Sequence, residues 1–222
     1  MQSAPLGPTS RIHSAIAAAS ARSGVDFRFL LREAEIESGL RPDAQAGTSS
    51  ARGLFQFTEG TWLDTVRRHG ADAGLGWAAD ALKVGQGGPL RQIILALRDN
   101  PEVAASLAAS HAADNADILS AATGRVAGAV ELYLAHFLGP GGAVRFLRGM
   151  AADASQSGAA LFPAAAASNP GIFGGAASLA AIYERFAVKF GGNGAVAASA
   201  LAIPASGNAA RLAYLTLAAL GR

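Results

Sequence analysis

The stretch ESGLRPDAQAGTSSARGLFQF, from Glu37 to Phe57, gathers acids, hydroxyl residues, glutamines, glycines and a proline within an otherwise alanine-rich chain. Glu37 ends a helix expected over Asp26–Ser38. Phe27, Leu30, Leu31, Ala34 and Ser38 follow helical spacing there, with Asp26 as N-cap and Gly39 as stop. The same helix carries Glu33 and Glu35. A carboxyl at a helix C-terminus meets the unfavourable end of the dipole, and partial burial adds a desolvation cost. Both effects favour the protonated form, which a general acid needs to cleave a glycosidic bond. A solvated helix-end glutamate fits the same spacing.

Other chemistries find little support. There is no GxSxG elbow, no HExxH and no P-loop. His13, His69, His111 and His136 lack ligand-like spacing, and there is no cysteine, so neither a metal nor a cofactor is expected. Lys83 and Lys189 are the only lysines, and no Lys/Arg block marks a nucleic-acid groove. A net charge of +2 suits an anionic polymer such as a cell wall without specifying one. The uncharged stretches Ala154–Tyr183 and Phe190–Ala210 are broken by Gly, Pro, Ser and Asn, so no membrane insertion is expected. The start, MQSAPLGPTS, does not read as a signal peptide.

These residues need a scaffold. Hydrophobic residues make up 51% of the 222, much of it alanine, and strand signals are sparse. The expectation is a mainly helical domain. PTSRIHSAIAAASARSG reads as a first helix, capped by Thr9 or Ser10 and closed by Gly24. After Asp26–Ser38, Leu40–Gly53 is expected to be irregular, and TEGTWLDTVRRHG to be helical with a basic end. GQGGPL is a turn and RQIILALRD a short helix. A long helix is capped by Asn100, starts at Pro101 and closes at Gly124. RVAGAVELYLAHFLGPGG is another helix, Ala151–Gly175 is looser, and SLAAIYERFAVKFGG is helical again. A last helix is expected over roughly 208–220.

The motifs together resemble the soluble lytic transglycosylases, relatives of goose-type lysozyme. That family's first motif, Glu-Ser, an apolar residue, then Pro and Ala, is matched by Glu37, Ser38, Leu40, Pro42 and Ala44. Its second, Gly-Leu-(Met or Phe)-Gln, is matched by Gly53, Leu54, Phe55 and Gln56. TSSARGLFQF, followed by Thr61 and Trp62, is most similar to the phage endolysin and tail-lysozyme branch. That branch's Tyr-x-x-His-Phe-x-Gly segment is matched by Tyr133, His136, Phe137 and Gly139. Many members carry Ala-Tyr-Asn-Ala-Gly here. Phe137 stands at the asparagine, a departure that puts the family's amide contact in question.

The resemblance implies a lysozyme-like single helical domain over 9–190 with an irregular substrate-groove loop. Residues 191–222 would be a Gly/Ala-rich segment and C-terminal helix, packed or accessory. It implies cleavage of the bond between N-acetylmuramic acid and N-acetylglucosamine in peptidoglycan strands, in the cell envelope, with anhydromuramyl ends. Glu37 would be the catalytic acid and then base. Ser38 would hold that carboxyl or the substrate. Gln56 would contact acetamido and hydroxyl groups or fasten its own loop. Tyr133, His136 and Tyr183 are the remaining substrate-binding candidates, and Phe55, Phe57 and Trp62 are expected in the core. Alternatives are a muramidase that hydrolyses the same bond and a non-catalytic wall-binding or structural component. A hydrolase that inverts would want a second carboxylate about 6.5–9.5 Å from the first. Asp43, Glu59 and Asp64 are near in sequence.

Overall fold

The computed structural model describes residues 7–85 and 88–190. These are mainly helical, with eleven α-helices, two 3₁₀ turns and no strand longer than an isolated bridge among them. The chain forms two compact units, Met1–Ala113 and Asp114–Arg222. The last helix expected over roughly 208–220 lies outside the described residues.

In the first unit, α1 (Pro8–Ser23) packs on α2 (Phe27–Ser38). α1 starts one residue ahead of the expected cap. Gly7 is its N-cap and Pro8 its first residue, where proline's fixed φ suits the helix and its missing N–H costs nothing. Asp26 caps α2 as expected, accepting from the Phe29 N–H at 2.9 Å, and Gly39 closes it in the left-handed conformation. Residues 40–58 contain no helix. α3 (Glu59–His69) then packs on α4 (Gly76–Val84) and α5 (Arg91–Ala96). α4 was not anticipated, because neither end has a side-chain cap. Trp62 is fully buried and donates its indole N–H to the Ile94 carbonyl at 2.7 Å. Phe57 meets it edge-on at 5.2 Å, and Phe55 is buried too, so all three expected core aromatics are in the core. α6 (Pro101–Thr123) is capped by Asn100, whose Oδ1 accepts from the Glu102 and Val103 amides.

The second unit holds α7 (Ala129–Ala152), α8 (Gly158–Leu161), α9 (Pro163–Ser168), α10 (Pro170–Phe173) and α11 (Leu179–Lys189). The stretch expected to be loose thus contains three short helices. α7 breaks at Gly139, with φ 73° and ψ 159° just before Pro140. Glycine reaches that geometry without a side-chain clash, and the proline cannot supply the helical N–H that would bridge the break. α11 packs on α7, and Phe146, Phe162, Phe173, Phe137 and Phe186 follow one another in a run of ring contacts through this unit.

Candidate functional site

Glu37 is on the last turn of α2 and half-buried. Ser38, beside it, is buried. Its Oγ lies 2.8 Å from the Leu54 carbonyl and 3.0 Å from that of Ala34, and accepts from the Arg41 amide at 3.2 Å. Ser38 therefore pins the end of α2 to the Gly53–Gln56 turn. Sixteen residues separate Ser38 from Leu54 in sequence, and this one hydroxyl joins the two motifs.

The turn itself is tightly built. The Gly53 amide donates to the Ala44 carbonyl at 2.8 Å, and the Arg52 amide donates to that of Phe57 at 3.1 Å. Gly53 has φ 84°, and a Cβ there would lie 2.1 Å from the Arg98 carbonyl oxygen. Both the left-handed backbone and the close approach require glycine. Gln56 also has a positive φ, 47°, and so does Leu40, 60°. Non-glycine residues seldom adopt that region, and such strain tends to gather at functional sites. The Gln56 Nε2 donates to the Ala44 and Gly53 carbonyls at 3.1 and 2.9 Å. The loop-fastening role is thus filled by the nitrogen. The Oε1 of this half-buried amide accepts from no described residue.

Two residues that the sequence reading passed over hold this turn from beneath. Arg98 is buried; its Nη1 donates to the Ser50 carbonyl at 2.7 Å and the Phe57 carbonyl at 3.2 Å, and its Nε to that of Leu95 at 3.0 Å. Burial pushes its guanidinium pKa down, with the Glu59 charge opposing. Asp99 takes the Arg52 guanidinium in a two-pronged ion pair at 2.7 and 2.5 Å. The signal for both was a charged pair closing an apolar run, ILALRD, just ahead of a helix cap.

Of the possible second carboxylates, Glu59 is paired with Arg91 at 3.0 Å, and Asp64 is taken up by Arg67 and Arg68. Asp43 is exposed. Among the described residues no group of three or more His, Cys, Asp or Glu side chains converges as a metal site. No described helix is long and apolar enough to cross a membrane.

Tyr133, His136 and Tyr183 belong to the second unit. Tyr133 is buried, its ring stacked on that of the half-buried His136 at 5.7 Å and meeting Phe186 at 5.5 Å. Tyr183 is buried and donates its hydroxyl to Glu131 Oε1 at 2.8 Å. Arg125 reaches the same oxygen at 3.1 Å, and the Gly128 amide donates to Oε2 at 3.0 Å. Glu131 was also passed over. Its signal was a glutamate three residues into a helix, reaching back to the N-cap amide as half of a capping box. Phe137 packs against Phe186 at 5.3 Å. No known family model matches the chain.

Proposed function

We propose that the protein is a peptidoglycan lytic transglycosylase, with Glu37 as its acid and base. The observation that carries this reading is the Ser38–Leu54 hydrogen bond, which fastens the glutamate-bearing helix end to the glycine–glutamine turn. Arrangement of the two motifs as one site is what cleavage of a glycan strand needs. The acid stands on a rigid helix, and an amide acceptor with fixed backbone stands on the adjoining turn.

The Glu37 carboxyl protonates the glycosidic oxygen as the bond to the anomeric carbon breaks. The carboxylate left behind stabilises positive charge on that carbon. It then takes the proton of the muramic acid's own C6 hydroxyl, whose oxygen bonds to the anomeric carbon. The product is a 1,6-anhydro ring and the carboxyl is regenerated, with no water consumed. The nucleophile is tethered to its target, so effective molarity replaces a positioned water. Glu59 and Asp64 are engaged by arginines, which supports a mechanism that does not call on them. The Gln56 Oε1 is suited to accept from an acetamido N–H or a sugar hydroxyl. The substrate places the activity in the cell envelope.

The test is to digest purified peptidoglycan and weigh the soluble fragments. Fragments lighter by one water than their reducing counterparts, and inert to borohydride, are expected. Reducing ends alone would assign the protein as a muramidase, and binding without release of fragments would assign it as a wall-binding component.

A further inference from the structure

Arg98 is an expensive residue to bury. A guanidinium stays charged at any ordinary pH, and here its described hydrogen-bond partners are neutral carbonyls. An apolar side chain would fill the space without that desolvation cost. The guanidinium does something an apolar chain cannot. One nitrogen, Nη1, holds the carbonyls at both ends of the segment Ser50–Phe57 and so closes it into a loop. The Arg98 carbonyl oxygen packs on the face of Gly53 at the middle of the same loop. The next residue, Asp99, anchors Arg52 between them. One dipeptide therefore touches the loop at its start, its middle and its end. The same loop carries Gln56 in a backbone conformation that needs external support to persist.

We infer that Arg98 is the positioning residue of the proposed glycan site, setting the Ser50–Phe57 loop so that the Gln56 amide oxygen is presented to the strand. This rests on the reading of the protein as a peptidoglycan-cleaving enzyme. Arg98 touches neither the sugar nor the reacting atoms. Its effect is on how well the strand is held, and much less on the proton transfers at Glu37, which stands on α2. Lysine at this position keeps the charge but lacks the rigid planar group that holds the Leu95 carbonyl through Nε while Nη1 spans those of Ser50 and Phe57.

The experiment measures KM and kcat on purified peptidoglycan for the full chain and for the Arg98→Lys and Arg98→Met variants. Amide hydrogen exchange at Arg52, Gly53 and Gln56 is followed alongside. Arg98→Met is expected to raise KM about tenfold or more, by losing charge-assisted hydrogen bonds, with kcat nearly unchanged. Arg98→Lys is expected to recover part of that loss. In both variants the three loop amides exchange faster while those of α2 keep their parent protection. If Arg98→Met does not fold, Arg98→Lys alone decides, because its expected KM rise and loop-specific exchange are the same in kind. Unchanged KM in a folded variant overturns the inference alone. So does a loss of rate that only follows the fraction of folded protein. A parent protein that does not cleave peptidoglycan overturns the underlying reading, and this inference with it.

Discussion

The Tyr183 hydroxyl donates to Glu131 Oε1 across 2.8 Å of buried space, tying α11 to the first turn of α7. Arg125 and the Gly128 amide complete the coordination of that carboxylate. A buried charge with three partners is fully compensated, so removing any one of them exposes the cost of the burial.

Tyr183→Phe is accordingly expected to lower the unfolding free energy by about 1.5–3 kcal/mol, the usual worth of a hydrogen bond to a charged group. Glu131→Leu is expected to cost about 3–5 kcal/mol, because it leaves the largely buried Arg125 without its carboxylate. Denaturant unfolding checks both. A Tyr183→Phe variant as stable as the parent would mean that the Tyr183–Glu131 hydrogen bond adds nothing net to stability.

The same pair sets a response to alkali. Burial pushes the Tyr183 pKa up, and the Glu131 charge and hydrogen bond push it further. A raised folded value favours the protonated phenol, so its contribution is complete below the unfolded tyrosine pKa of about 10. Above that pH the unfolded chain loses its proton first, and stability falls as pH rises toward the folded value. Denaturation midpoints on either side of about pH 10 should decline more in the parent than in Tyr183→Phe. Equal slopes would show that Tyr183 does not carry this titration.

What could be read in advance follows the range of the forces. Asp26, Asn100 and Gly124 act on residues within one helical turn, and their caps stand where the spacing put them. Trp62 and Phe57 are large and apolar enough that burial was the simple expectation. Arg98 and Glu131 work differently. Arg98 acts on carbonyls more than forty residues earlier, at Ser50 and Phe57, and Glu131 on a hydroxyl 52 residues later. Nothing in their neighbours' identities reveals that reach. Ser38 is intermediate: its place beside Glu37 was legible, and its hold on Leu54 required the fold.

Gly53→Ala is expected to be more costly than Gly39→Ala. Both positions have left-handed backbone, φ 84° and 61°, a strain of about 1–2 kcal/mol for alanine. At Gly39 an added Cβ meets open space, whereas at Gly53 it meets the Arg98 backbone. The Gly53 variant must therefore also push the loop off Arg98 and Asp99. Parallel urea titrations compare the two. Equal losses would show that the loop gives way freely, and would weaken the case for a clamp beneath it.

Glu37→Gln is the substitution on which the catalytic assignment stands. The amide matches the carboxyl in size and leaves the Ser38–Leu54 fastening in place. It cannot give up a proton to the glycosidic oxygen or take one from the C6 hydroxyl. General acid–base groups contribute roughly 10²–10⁴ in rate, so fragment release should fall by that range while binding to purified walls persists. The control is Glu35→Gln. Glu35 is exposed and paired with Arg32 at 3.0 Å, an arrangement of little energetic weight, so lysis should continue near the parent rate. Glu33 is not an equivalent control, because its side chain is buried and a change there disturbs packing as well as charge. A Glu37→Gln protein that releases fragments at the parent rate removes Glu37 from the chemistry. One that no longer binds walls would make it a binding residue instead.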